Sequence, residues 1–474
     1  KVSRRQIPKN IRLNRLIKKG LKQPLFSIMD IKKEGSLAAP TRDIVDWNSD
    51  EYLNEKALDA EMRRQFEVCH SCRRCFNLCD SFPTLFDFID DSPNESVDDL
   101  TKKHFEDVTD KCTLCDMCFM TKCPYVPPHE FNIDFPHLML RYRTYQENQK
   151  KLSKIPKELA KVDRNASLAR LSPSIANWSS DKKNKLTRSP LELMTGIDKD
   201  AELPKFEKKS FHDNFKNISN KLNKNAPAYG RKVAIYSTCY VNHNNSKVGV
   251  AANNVLNFNG VETISTYPGC CGMPHLEQAQ HEKVKIQSEI ISEELCKLID
   301  QGYDIVTLTA SCGLMLKFEW PLINPENKNV KRLSKHVFDI DEYIVDIAKK
   351  EGLVDGLQSF DDGITVHNAC HARAQNMGNK ALEMLKKIPE TKVDVVEKCA
   401  GHGGTFGVMK KTRKSAIKYG RATARQIRNK KNKYMVSDCP LACKHLNEFL
   451  NEDKDTKYIS MHPIEVIAKS YNLT

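Results

Sequence analysis

Residues Val68–Pro124 carry two cysteine runs of nearly the same form. The first reads VCHSCRRCFNLCD, with Cys69, Cys72, Cys75 and Cys79; the second reads KCTLCDMCFMTKCP, with Cys112, Cys115, Cys118 and Cys123. Eight of the chain's 17 cysteines thus lie within 55 residues. Thiols at i, i+3 and i+6, on a loop passing into a helical turn, can converge on one inorganic cluster. Each then meets a different metal, and the fourth position must be filled from elsewhere in the chain.

A doubled run of this kind, with the fourth cysteine of each run serving the other cluster and a proline following, is the ligand pattern of two-cluster ferredoxins. Pro124 follows Cys123, whereas Cys79 is followed by Asp80, with Pro83 further on. The expectation is a dicluster ferredoxin with two [4Fe–4S] clusters. One takes Cys69, Cys72, Cys75 and Cys123, the other Cys112, Cys115, Cys118 and Cys79. Structural zinc uses two C-x-x-C pairs across a longer loop and fits a triple spacing badly. A disulfide framework suits small secreted chains, and no secretory apolar segment is present.

Of the net charge of +14, residues 1–33 supply +10, with eleven Lys/Arg against Asp30. The rest of the chain is nearly neutral, and no nucleic-acid-binding motif is visible, so no nucleic-acid partner is expected. No stretch reaches the ~18–20 apolar residues of a membrane helix. The expected location is cytoplasmic, and the basic arm reads equally as a solvated arm, as an arm docking on an acidic partner subunit, or as a peripheral contact with the inner face of the cytoplasmic membrane. That arm can form a short amphipathic helix between Pro8 and Gly20.

The segment YLNEKALDAEMRRQF (Tyr52–Phe66) has a helical pattern, as does PHLMLRYRTYQENQKK after the second run. Phe82, Leu85, Phe86, Phe88 and Ile89 are expected to pack around the clusters. Residues 146–228 are rich in Lys, Asn and Ser and read as a linker with some helix.

Cysteines also mark a repeat in the second half. Cys239 follows VAIYSTC's apolar strand, Cys270-Cys271-Gly272 comes next, and Cys312 closes DIVTLTASC. Cys370 follows ITVHNAC, Cys399 opens CAGHGG, and Cys439 ends YMVSDC. Matching cysteines are offset by 131, 129 and 127 residues. Two homologous α/β lobes follow, with cysteines at strand C-termini, where open α/β sheets hold their ligands. Cys296 reads as a buried helix thiol. His367 and His371 flank Cys370 and His402 follows Cys399, making these the candidate proton-handling or ligand histidines. Arg373 could hold an anionic substrate.

These motifs, with YPGCCGMP, SCGLMLKFEWP, HNACHARAQNMG, CAGHGGTFG and SDCPLA, resemble the CCG-domain (cysteine-rich) iron–sulfur oxidoreductases related to heterodisulfide reductase. The order of ferredoxin block, linker and two lobes is similar to that of the C subunit of anaerobic glycerol-3-phosphate dehydrogenase and of homologues found beside a rubrerythrin. The resemblance implies an α+β multidomain chain: a basic arm (1–50), an α-helical ferredoxin domain (51–145), a linker (146–228) and two CCG lobes (229–360 and 361–474). It also implies one noncubane [4Fe–4S] cluster assembled around Cys239, Cys270, Cys271, Cys312, Cys370, Cys399 and Cys439. The family's full motif is broken in both lobes. Thr309 stands where the first Cys of a C-x-x-C belongs, Ala400 replaces the second Cys of the pair, and Cys443 is spaced poorly as a substitute.

The expected function is an enzyme subunit passing electrons between a partner dehydrogenase or redox protein and a quinone or disulfide. No GxGxxG follows a strand, so flavin and nicotinamide belong to a partner. Two alternatives are a thiol/disulfide or peroxide-defence reductase acting with a rubrerythrin-like partner, and a basic nucleic-acid or scaffold protein with structural metal.

Overall fold

The computed structural model describes residues 39–218, 221–452 and 457–473. The expected amphipathic helix between Pro8 and Gly20 lies outside them. Four helices organise the N-terminal unit: α1 (Glu55–Cys72), α2 (Ser81–Asp90), α3 (Lys102–Asp110) and α4 (Phe135–Asn148). Helix α1 begins at Asn54, whose side chain accepts the Ala57 N–H, and it buries Leu58, Met62, Gln65 and Phe66 along one face. Each large apolar side chain so buried contributes roughly 1.5–3 kcal/mol. Phe82 from α2 packs on Phe135 from α4 with centroids 4.5 Å apart, and Phe66 meets Phe105 of α3 edge-on at 5.6 Å. Leu85, Phe86 and Ile89 join this core, and Phe88 is partly buried against it.

The segment expected as a linker folds into short helices on the surface of the lobes, among them α5 (Val162–Leu171), α6 (Pro173–Ser180) and α7 (Lys185–Thr195). Each lobe then builds a four-stranded, all-parallel sheet. In the first lobe β1 (Lys232–Tyr236), β2 (Glu262–Thr266), β3 (Asp304–Thr307) and β4 (Val337–Asp339) run in the order β2-β1-β3-β4. The second lobe repeats it as β6-β5-β7-β8, with β5 (Ile364–His367), β6 (Val393–Val396), β7 (Tyr434–Val436) and β8 (Ile459–Met461). The strands read as short apolar runs because helices cover both faces. In each lobe the chain reverses direction across the sheet at its first strand, which opens a crevice at the strand C-termini. The lobes meet there: the Ala310 N–H donates to the Asp438 carbonyl at 3.3 Å, and the Gln375 amide donates to the Ala310 carbonyl at 3.0 Å. Among the described residues no helix is long and apolar enough to cross a membrane.

Candidate functional site: four groups of buried thiols

Helix α1 carries Cys69 and Cys72 on its last turn, one above the other. Arg73 then adopts a left-handed conformation (φ 54°) that ends the helix and turns the chain toward Cys75. Cys123 comes back to this group from the end of the second run. Cys69, Cys72, Cys75 and Cys123 line a small cavity of about 20 Å³, walled by Val68, Phe82, Tyr125 and Ile133. Burial, then Cys123, Cys75 and Cys72, push the Cys69 thiol well up.

The second group forms the same way from a different local structure. Between Cys112 and Cys118 the chain is irregular, with Leu114 (φ 50°) and Asp116 (φ 62°) both left-handed. Such conformations cost of order 1–3 kcal/mol each and persist only where surroundings enforce them. Burial and then Cys115 and Cys112 raise the Cys79 thiol; burial pushes Cys112 up to about 12. Cys118 is raised by burial and next by Cys75, followed by Cys115, Cys112 and Cys79. The first two groups are therefore adjacent, and each gathers three thiols of one run with the fourth of the other.

Arg42 enforces the second loop. Its guanidinium donates to Asp116 (2.8 Å), Asp134 (2.8 Å) and Glu319 (3.2 Å) and lies 4.3 Å above the Phe119 ring. His137 adds a contact to Glu319 at 3.2 Å. Burial opposes the guanidinium charge, but Asp116, Asp134 and Glu319 outweigh it and hold the group ionised. Arg143 ties the same loop to the first lobe, donating to the carbonyls of Thr109, Cys112 and Glu277.

In the first lobe Cys239 starts the helix after β1, Cys270 and Cys271 follow β2, and Cys312 follows β3. Their thiols lie in series, Cys239 next to Cys270, Cys270 to Cys271 and Cys271 to Cys312, and this crowding, together with burial, raises the first three well above the ordinary thiol value. Thr238 sits at φ 58°, ψ 157°, a strained conformation for a β-branched residue. Its hydroxyl meets that of Thr309 at 3.1 Å, so the position that breaks the family's C-x-x-C is a buried hydroxyl pair. The helices after residue 146 reach this group too. Asp163 of α5 accepts from the Cys270 N–H at 3.0 Å, from the Tyr267 hydroxyl and from His243 at 3.3 Å.

In the second lobe Cys370, Cys399 and Cys439 face one another and the N-terminal unit. Burial, then Cys115, Cys399 and Cys439, raise Cys370; burial and then Cys115 push Cys399 up to about 12. Cys312 in turn senses Cys439 across the lobe interface. Cys443 points instead at the sulfur of Met435 and the Met461 carbonyl, in the core. Cys296 contacts the Asn329 carbonyl.

The three candidate histidines separate in role. His367 is held at both nitrogens, by the Ser437 hydroxyl (3.0 Å) and the Lys398 carbonyl (3.0 Å), and burial lowers it to about 4. It braces the ends of β5, β6 and β7. His371 contacts the Leu114 carbonyl at 3.3 Å and so pins the second cysteine loop to the second lobe. His402 lines the central cavity, and burial lowers it to about 3. Arg373 pairs loosely with Glu397 at 3.8 Å.

That cavity, about 620 Å³, is lined by thiols of three groups, including Cys79, Cys115, Cys239, Cys312, Cys370 and Cys399. Glu277 also faces it, pushed up to about 7 by burial against the opposing charge of Arg143. A side chain at Gly404 (φ 53°) would collide with the Glu277 carboxylate, and one at Gly401 (φ 74°) with the Ala416 carbonyl. The glycines of CAGHGG are therefore needed for close approach. Sequence reasoning missed Arg42, Arg143, Asp163 and Glu277. None belongs to a motif, and each acts across a long sequence separation.

An iron–sulfur centre fits these residues. Thiols this close, each buried or half-buried, cannot ionise together unless a cationic centre offsets their charge. Among the described residues, no cage of three or more His, Cys, Asp or Glu side chains suits a single metal ion.

Comparison with known proteins agrees. Residues 233–317 and 364–445 match the CCG cysteine-rich domain. An uncharacterised iron–sulfur protein of Methanococcus maripaludis is 30% identical over 49% of this chain and 44% of its own length. One of the subunits of the CoM/CoB fumarate reductase of Methanothermobacter marburgensis is 26% identical over 51% of the chain and 47% of its own. Lactate utilization protein A of Macrococcus caseolyticus is 26% identical over 37% of the chain and 73% of its own length. The chain spans less than half the length of the two archaeal relatives. The chain therefore carries two CCG cysteine-rich domains in tandem, at residues 233–317 and 364–445, and its relatives include iron–sulfur proteins.

Proposed function

We propose that the chain is an electron-transfer subunit of an iron–sulfur oxidoreductase, working between a partner dehydrogenase or redox protein and a quinone or disulfide. The observation that carries this reading is the unbroken succession of thiol groups. Cys75 neighbours Cys118, Cys115 neighbours Cys370 and Cys399, and Cys439 neighbours Cys312.

Bound iron–sulfur clusters supply one-electron carriers. Cys69, Cys72, Cys75 and Cys123 would hold one [4Fe–4S] cluster, and Cys112, Cys115, Cys118 and Cys79 another. Cys239, Cys270, Cys271 and Cys312 would hold a third centre. In the second lobe Cys370, Cys399 and Cys439 stand at the wall of the large cavity with His402, which makes this the place where an acceptor meets the chain. Glu277, titrating near neutrality, can hold a proton there. Arg42, Arg143 and His371 keep the second loop in register with both lobes. Asp163 fixes the backbone at Cys270.

The test is reoxidation. Protein reduced anaerobically should recover its visible absorbance on addition of a water-soluble quinone or a small disulfide. Cys370→Ser should leave the N-terminal clusters reducible while slowing reoxidation about tenfold or more. Equal rates in the two proteins, or no reoxidation by either acceptor, would sink this reading.

A further inference from the structure

Helix α7 is built inside out. Leu186, Leu193 and Met194 share one helical face and are 84%, 89% and 79% exposed. Arg188, on the opposite face, is 1% exposed and donates to the carbonyls of Ser180, Asp198, Lys199 and Ala201. A helix facing water shows the reverse arrangement. The guanidinium's four carbonyl partners fix the helix in this orientation, so the apolar stripe is held outward. On the neighbouring α5 and α6, Leu168, Leu171, Ile175 and Trp178 are exposed as well. Of the 13 large apolar residues exposed among the described residues, seven fall within these three helices. Scattered exposed leucines need no explanation; a concentration of this kind marks a surface that something covers.

Charge indicates what covers it. Residues 151–209 hold fourteen Lys/Arg against eight Asp/Glu, a net +6, and residues 1–33 hold +10. The remaining 382 residues are net −2, so all the excess positive charge lies in these two segments. Lys182, Lys183 and Lys185 stand exposed at the turn joining α6 to α7, beside the stripe. Cores of protein–protein interfaces are depleted in lysine. Leucine, methionine and tryptophan flanked by lysines suit a helix lying in the headgroup layer of an anionic membrane. The N-terminal segment has the same sign of charge as the patch and adds to the attraction for an anionic surface.

We propose that α5–α7 form a docking face for an anionic lipid bilayer, with Leu186, Leu193, Met194 and Trp178 entering the headgroup–acyl boundary. Asp163 on α5 bonds the Cys270 backbone. Helix α5 of this face therefore lies directly on the cysteine loop of the first lobe. Docking at this face is independent of what those thiols hold.

Vesicle sedimentation of the full chain tests it. Vesicles of phosphatidylcholine with one-quarter phosphatidylglycerol should carry the protein down, and phosphatidylcholine alone should not. Trp178 gives a local readout, because Trp320 is fully buried and Trp47 is stacked on His281. Its emission should be quenched by lipids brominated on the acyl chain. The triple variant Leu186→Ser, Leu193→Ser, Met194→Ser should lose about tenfold or more of the binding, with circular dichroism and thermal unfolding unchanged. Lys183→Glu with Lys185→Glu should weaken binding to the anionic vesicles. Absence of binding to anionic vesicles, or unaltered binding by the triple variant, would overturn the proposal. So would a triple variant that loses self-association while the parent ignores vesicles, since the face would then belong to a protein partner.

Discussion

Replacing Cys79 with serine should abolish the cluster built mainly on Cys112, Cys115 and Cys118 and leave the other N-terminal cluster in place. Cys79 closes the first run in sequence, yet its thiol neighbours are Cys115 and Cys112 of the second. Cys123 closes the second run and lies beside Cys69 and Cys72 of the first. Anaerobically reconstituted Cys79→Ser should therefore contain about four fewer irons than the parent. One of two reduced-state EPR signals should disappear. Cys123→Ser should remove the complementary signal. Loss of the Cys69-centred signal in Cys79→Ser would mean that each run serves its own cluster.

Arg42→Met should destabilise the protein by roughly 3–5 kcal/mol, the usual consequence of removing one partner from a buried charge network. The variant leaves Asp116, Asp134 and Glu319 packed together without the guanidinium, with His137 left beside Asp134 and Glu319. In the parent, Asp134 and Glu319 are held below their ordinary values. Groups lowered in this way stabilise the fold above the unfolded-state carboxylate pKa of about 4, and that stabilisation is lost as pH falls through their folded values. In Arg42→Met the sign should reverse. The carboxylates then gain from protonation, so the variant should be more stable near pH 5 than near pH 8. Urea unfolding of the apo-protein at both pH values measures this. A change below about 1 kcal/mol at pH 8, with the parent's pH dependence intact, would show that the network does not hold the second cysteine loop to the first lobe.

Much of this architecture was legible from cysteine spacing, because thiols that converge on one centre leave a periodic trace. The offsets near 130 residues anticipated two sheets of identical strand order, and Cys239, Cys312, Cys370 and Cys439 follow strand C-termini as read. What stayed hidden acts across long separations. Arg42 reaches Glu319 over 277 residues, and Arg143 reaches the Glu277 carbonyl over 134. A single arginine in a run of ordinary composition carries no local mark of such a role. The helices after residue 146 are hard to read for a different reason. Amphipathicity is normally read with the apolar face inward, and α7 turns Leu186, Leu193 and Met194 out and its arginine in, so composition alone suggests a linker. His367 stands out in the sequence for its position beside Cys370. Only the bonds to Ser437 and Lys398 identify it as a brace.

The central claim is that the buried thiols form a succession of iron–sulfur sites. Iron and acid-labile sulfide counting on anaerobically prepared protein, with EPR of the dithionite-reduced state, tests it most directly. The account predicts about eight irons and eight sulfides from the two N-terminal groups, with two reduced [4Fe–4S] signals, and about twelve of each when the lobes hold a further centre. Zinc in place of iron, with no labile sulfide, would contradict it.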